Sequence, residues 1–270
     1  MSVNHYENFP VASLLLPARL RRPVAAIYAF ARSADDFADE GNAPDRERLR
    51  QLDEYRQRLH DLEQDRGVEN PLFRDLGAVI RSHGLPFEPF YLLLDAFSQD
   101  VTKHRYADFR EVMDYCRRSA DPVGRLMLHL YGAVTEEHLA WSDSICSALQ
   151  LINFWQDVAS DYRKNRGYLP QDDMARFGVN EAQIAERNTG GGWGALMGFE
   201  VARARAMMES GAPLATRLPG RIGLELRTIV QGGLRILEKI ERAGGDVFRR
   251  RPVLRAWDWP LLVARGVAMA

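Results

Sequence analysis

Apolar residues recur at steps of three and four along almost the whole chain, and no run of strict alternation is long enough for a strand. The clearest case lies in the charged stretch from Asp45 to Gln64. There Leu49, Leu52, Tyr55, Leu59 and Leu62 share one face of an amphipathic helix. Pro71 to His83 reads as another helix, closed by Gly84 and Pro86, and Pro89 to Ser98 and Asp108 to Arg118 follow. Pro122 to Tyr131 and Glu136 to Arg163 are more apolar and are expected near the core. Pro23 suits a first helical turn, so a first helix is expected from Val24 into Asp39, with Gly41 and Pro44 as its stop. Asn165 to Asp173, with Gly167 and Pro170, reads as a loop. Thr189-Gly190-Gly191-Gly192 breaks the chain before a helix through Ser210, and Arg221 to Ala243 is the last long helix. No repeat and no Gly-, Ser- or Pro-rich linker divides the pattern. One all-α domain over residues 1–270 is the expectation.

Composition narrows the class. A chain of 270 residues with 46% hydrophobic and 27% charged side chains can bury a sizeable core. A net charge of -1 argues against a nucleic-acid partner. Cys116 and Cys146 form no metal or redox spacing and fit reduced thiols. Val11 to Pro17 is too short for a signal-peptide core. His138 to Gln156 approaches a membrane span, but its His, Ser, Asn and Gln favour a buried helix. A cytoplasmic protein is expected. Its basic segment Arg242 to Arg255 reads as a solvated face, a diphosphate contact or a weak patch at the inner membrane surface.

Candidate chemistry sits in two acidic pairs of equal spacing. Asp35 and Asp39 share a stripe with Tyr28 and Arg32; Asp157 and Asp161 share one with Leu149 and Asn153. Asp36 lies about 100° away and points elsewhere. A solvated face or helix caps would explain one such pair. Acids set into apolar helices are expensive, however, unless a metal or a cation accompanies them. Two such faces turned together make a cage of hard oxygen donors, suited to Mg²⁺ and through it to a diphosphate, which Arg32 can grip with its planar fork. Acid–base work by repelling carboxylates stays open. Gly190-Gly191-Gly192-Trp193-Gly194 matches no phosphate-binding loop.

These residues carry a resemblance. From His5 to about Leu254 the chain resembles the squalene/phytoene synthase family. The motifs are Tyr28 to Asp39, Tyr115-Cys116, Asp121 to Gly124, Asn153-x3-Asp157-x3-Asp161, Arg166-Gly167-Tyr168-Leu169-Pro170 and Asp246 to Arg251. The resemblance implies an isoprenoid-synthase helical bundle around a central cavity, with the two aspartate helices facing each other across its mouth. It implies two or three Mg²⁺ ions bound with the diphosphate by Asp35, Asp39, Asn153, Asp157 and Asp161. Arg32 and Tyr28 join the four aspartates as catalytic candidates. His5, Phe9, Asn153, Gln156, Tyr168, Arg250 and Arg251 are the candidate substrate contacts. Phe9, Phe30, Phe37, Phe97, Tyr131 and Phe154 are candidates to face a carbocation, with ordinary core packing as the competing reading.

Within the family, Asn4 to Ser13, Asn153 to Val158 and Asp258-Trp259-Pro260 resemble the hydroxysqualene-forming branch, and Gln156 stands where many condensing relatives carry Arg. That branch implies a carbon–oxygen lyase of squalene and hopanoid biosynthesis. It turns presqualene diphosphate into hydroxysqualene without a nicotinamide, between a presqualene diphosphate synthase and a reductase. Two rivals remain at this point: a condensing prenyltransferase making presqualene diphosphate, squalene or phytoene, and a non-catalytic assembly protein of the same fold, against which the four intact aspartates count.

Overall fold

Helix α1 (Ala18–Asp39) begins before Pro23 rather than at it. Pro23 lies in the second turn, where its missing N–H leaves only a first-turn carbonyl without a helical partner. The computed structural model describes residues 16–41 and 43–269, and among them the backbone is helical, with one isolated parallel bridge between Arg105 and Gly167. The long elements follow the sequence pattern closely: α2 (Asp45–Glu63), α3 (Pro71–His83), α4 (Glu88–Thr102), α5 (Phe109–Ser119), α6 (Asp121–Tyr131) and α7 (Glu136–Arg163). Their ends are chemically marked. Asn70, Asp108 and Thr135 accept backbone N–H bonds as N-caps of α3, α5 and α7. Gly84 and Gly132 take the left-handed conformation that closes α3 and α6.

Shorter elements escape the periodicity. Helices α8 (Gln171–Arg176) and α9 (Glu181–Ala185) lie where the sequence reads as loop or offers no pattern. Then come α10 (Trp193–Gly211), α11 (Leu214–Arg217), α12 (Gly220–Arg242), a 3₁₀ turn (Ala256–Asp258) and α13 (Trp259–Ala268). Segments of four to six residues show too little of a 3.6-residue period to be seen.

The apolar interior is divided. One cluster gathers α1 to α4 with Leu126 and Leu130 of α6, around Phe30, which meets Phe73 and Phe90 edge to face at 5.8 and 5.4 Å. The other joins α5, α7, α10 and α12 around the fully buried Trp155 and Trp193. Tyr131 and Ile222 pack against both clusters, only partly buried, so a seam runs between them. Helix α6 packs along α7 and touches α1, which links the two sides of the seam. The tight α7–α10 pairing depends on Gly211, where a Cβ would come 2.5 Å from the carbonyl oxygen of Trp141.

A buried charge group fixes α8 against α10. Arg203 donates to Asp173 at 2.9 Å and to Glu200 at 3.3 Å, and its guanidinium lies 3.8 Å from the Phe109 ring centroid. Glu200 is fully buried, and desolvation, only partly offset by Arg203, pushes its carboxyl up to about 8. An acid raised this way keeps a proton that the unfolded chain has already released. Stability from this group is therefore lost as pH rises from about 4.5 to about 8. Glu200→Gln keeps a hydrogen-bond donor and removes that loss. Its stability relative to wild type is expected to rise by about 1–3 kcal/mol between acid and mildly alkaline pH. Urea unfolding at both ends of the range checks this; parallel shifts at the two pH values would refute it.

Candidate functional site

Both acid pairs sit at helix C-termini. Asp39 is the last residue of α1, and Asp157 and Asp161 lie in the last two turns of α7. The macrodipole is negative there, so the acids are neither caps nor dipole-stabilised groups, and their negative charge must be met by something else. Basic side chains meet it. Arg32 contacts Asp35 at 3.0 Å, Asp36 at 2.6 Å and Glu40 at 2.7 Å. Asp36, although off the stripe, therefore belongs to the same charge group. Lys164 donates to Asp39 at 3.2 Å, and Arg166 pairs with the same carboxylate, so the segment after α7 reaches across the seam to α1. Arg251 grips Asp157 in a two-pronged pair at 2.5 and 2.7 Å. Its third nitrogen, Nη1, is buried and has no hydrogen-bond partner among the described residues.

Burial, and next the neighbouring Asp39, push the Asp35 carboxyl up to about 7. Burial and Asp157 do the same to Asp161, with Arg166 and Lys164 pulling the other way. Carboxylates that repel one another in a low-dielectric site are poised to accept cationic charge.

The loop that delivers Lys164 and Arg166 is held from behind. Asn165 takes a left-handed conformation with φ 59°, which turns the chain back toward α1. Arg105 donates to the Asn165 carbonyl at 2.7 Å while paired to Glu181 of α9 at 2.5 Å. Tyr168 then enters the core and stacks on Phe154 with centroids 3.7 Å apart.

Asp100 of α4 is the residue that sequence reasoning passed over. It is buried and accepts hydrogen bonds from Tyr115 at 2.6 Å and Tyr168 at 3.3 Å. Burial raises its carboxyl to about 6, against the pull of Arg166. It interacts electrostatically with Asp35 and Asp39, so it belongs to the site. The signal was only partial: the largely apolar stretch Phe90 to Val101 carries both Asp95 and Asp100, and burial in the folded chain is what separates them.

The remaining candidates divide. Asn153 is exposed although Ile152 and Phe154 beside it are buried, so the α7 stripe opens onto the seam. Tyr28 is half-buried on the α1 stripe. Arg250 is exposed beside Arg251. Gln156 makes a contact within the protein. It is buried, and its amide donates to the Pro252 carbonyl at 2.5 Å, which tethers the strand of chain carrying Arg251. Position 156 lies off the stripe, as helical geometry requires of the residue before Asp157. Tyr168 likewise serves as an anchor whose hydroxyl reaches Asp100. Phe30 is a core aromatic, and the partly buried Phe37 packs against the same cluster, meeting Tyr55 edge to face at 5.0 Å. Phe97 and Phe154 are buried, and Tyr131 lines the seam. His5 and Phe9 lie outside the described residues.

Among the described residues no three acidic, His or Cys side chains converge on a metal-sized space. The donor set still fits a divalent cation: four carboxylates and the Asn153 amide are hard oxygen donors, two of the acids are held up near neutrality by burial and next by a neighbouring aspartate, and ammonium and guanidinium groups lie against the others.

A family model described as squalene/phytoene synthase matches residues 3–258. A hydroxysqualene synthase of Rhodopseudomonas palustris is 37% identical over 238 residues, 87% of this chain and 80% of that protein. A phytoene synthase of Thermus thermophilus is 29% identical over 268 residues, 98% of this chain and 90% of that one. The crystal structure of squalene synthase HpnC from Alicyclobacillus acidocaldarius superposes with a TM-score of 0.82 at 38% identity, covering 89% of this chain and 90% of that chain. A match along nearly the whole length, on the same helical fold, places the chain among enzymes: it belongs to the squalene/phytoene synthase family.

Proposed function

We propose that the protein converts presqualene diphosphate and water to hydroxysqualene and inorganic diphosphate. The observation that carries this reading is the buried, unpartnered Nη1 of Arg251, set beside Asp157 on one of two aspartate helices whose acids are met by cations. A buried donor without a partner suits an oxyanion. The aspartates around it suit that oxyanion only if a cation intervenes. Asp35, Asp39, Asn153, Asp157 and Asp161 would hold Mg²⁺, which supplies charge neutralisation for a departing diphosphate. Arg251, Arg166, Lys164 and Arg32 add donors to the same oxygens.

In the proposed reaction the carbon–oxygen bond breaks with its electron pair leaving on the diphosphate. The cyclopropylcarbinyl cation rearranges and opens, a water oxygen adds to it, and one proton is released. No electrons are gained or lost, so a nicotinamide has no part in the step. The hydrocarbon would then lie along the boundary between the two apolar clusters, where Tyr131 and Ile222 are only partly buried. Tyr115 and Tyr168 are held well above the usual phenol range by burial and by Asp100, so they stay protonated and act as donors. Asp100, up at about 6, is the acceptor they orient. The similarity to hydroxysqualene synthases at 37% identity supports this reaction over others of the family.

The similarity to a phytoene synthase supports a second reading, condensation of two shorter prenyl diphosphates at the same aspartates. A purely structural protein of this fold has no use for carboxylates held against the helix dipole, and that reading is set aside.

Purified protein with Mg²⁺ and presqualene diphosphate, without nicotinamide, is expected to yield a C30 alcohol identified by mass spectrometry, and nothing from farnesyl diphosphate. Presqualene diphosphate or phytoene formed from shorter precursors would instead establish condensation. Asp35→Asn and Asp157→Asn are each expected to lower kcat by about 100-fold or more with the helical content unchanged. Turnover near wild type in either variant would remove the aspartates from the mechanism.

A further inference from the structure

Among the described residues, six large hydrophobic side chains stand out as exposed, and four of them fall in the last fourteen positions: Trp257 at 66%, Trp259 at 39%, Val263 at 47% and Val267 at 59%. Helix α13 explains the pattern. Leu262 and Gly266 face inward, Leu262 fully buried and Gly266 packed on the Arg227 backbone. Trp259, Pro260, Val263, Ala264, Val267 and Ala268 are exposed, so the outer face carries no polar side chain. The one charge on the helix, Arg265, turns aside to Glu238 of α12 at 2.5 Å.

This face is held rigidly. Asp258, with its carboxylate fully buried, pairs with Arg235 at 2.9 Å and with Lys239, both on α12. The contact fixes the start of α13 and neutralises the acid, leaving the apolar face presented outward.

Beside it the charge is positive. Arg242 to Arg255 contains five arginines and one aspartate. Arg249 and Arg250 are exposed, and Arg255 lies over the Trp257 ring at 4.8 Å. Together with Lys239 and Arg251 these residues line a groove of about 430 Å³. A rigid apolar helix face with tryptophans at one end and guanidinium groups along its border matches a bilayer interface: acyl chains for the valines, the headgroup level for the indoles, phosphates for the arginines. A second copy docked symmetrically would set the same arginines toward one another, whereas an anionic surface offers the complementary charge. No described helix is long and apolar enough to cross a membrane. Helix α13, with ten residues, is suited to lie in the interface plane.

We propose that α13 and the adjoining Arg249, Arg250, Arg255 and Trp257 form a docking surface for an anionic phospholipid bilayer, with the groove receiving a lipid phosphate. The inference stands apart from the reaction proposed above: Arg251 alone is shared with that site, and the variants tested below leave it in place.

The test is flotation of the purified full chain with vesicles of phosphatidylcholine alone and of phosphatidylcholine with about one-third phosphatidylglycerol. Binding is expected to be several-fold tighter to the anionic vesicles and to weaken with added salt. The double variant Val263→Glu/Val267→Glu is expected to lose about tenfold or more of that affinity. Arg249→Glu is expected to lose several-fold and to flatten the salt dependence. Circular dichroism of both variants should match wild type, because all three side chains are exposed. Equal or absent binding to the two vesicle types, or vesicle binding unchanged in the double variant, would overturn the proposal. So would a concentration-dependent dimer that dissociates in the double variant, with no vesicle binding by either protein; the face would then be a contact between copies.

Discussion

Four carboxylates at the C-terminal ends of two helices, partly out of water, are the constraint around which this protein is organised. Burial opposes them and they oppose one another, which is why Asp35 and Asp161 rise to about 7, and each helix dipole is unfavourable to negative charge at that end as well. The fold answers with counter-charge drawn from three stretches, one local and two distant: Arg32 from α1 itself, Lys164 and Arg166 from the turn after α7, and Arg251 from beyond α12. Much of the tertiary structure near the mouth exists to bring those side chains within reach.

Each counter-charge has its own support. The turn with Lys164 and Arg166 depends on a left-handed Asn165 and on Arg105, which ties that turn to α9 through Glu181. The chain carrying Arg251 is tethered by the buried amide of Gln156 to the Pro252 carbonyl. Removing one partner of such a group leaves a charge stranded in a partly desolvated place, which is costlier than the pair is worth. The charge group is thus held by an outer layer of polar contacts within the protein.

The Arg249–Arg251 segment joins the two chemistries of the molecule. Arg251 turns inward to Asp157, while Arg249 and Arg250 face solvent beside the apolar face of α13. On the proposed function and docking surface, a water-insoluble product forms close to a lipid phase. The divided core fits the same picture, since a single close-packed interior would leave no space for a long hydrocarbon.

The long helices and the two acid stripes were legible in the sequence because they rest on local rules: 3.6-residue periodicity, caps such as Asn70 and Asp108, and carboxylates four residues apart. Residues three and four apart on a helix must share a face whatever the rest of the chain does, so Asp35 with Asp39 and Asp157 with Asp161 needed no tertiary information. Where the charges go did need it. Which cation meets which acid is set by pairings 94 to 127 residues apart, such as Arg251 with Asp157 and Arg166 with Asp39, and no local pattern encodes them. Gln156 shows the same limit: its spacing places it off the stripe, but only the packed structure shows that its amide reaches the Pro252 carbonyl. Helix α13 shows it again, since an apolar segment in a sequence reads alike whether it is buried or presented outward. The sequence by itself determined which residues share a face; the tertiary structure decided what each face meets, because long-range packing and charge neutralisation act between segments that the chain order keeps apart.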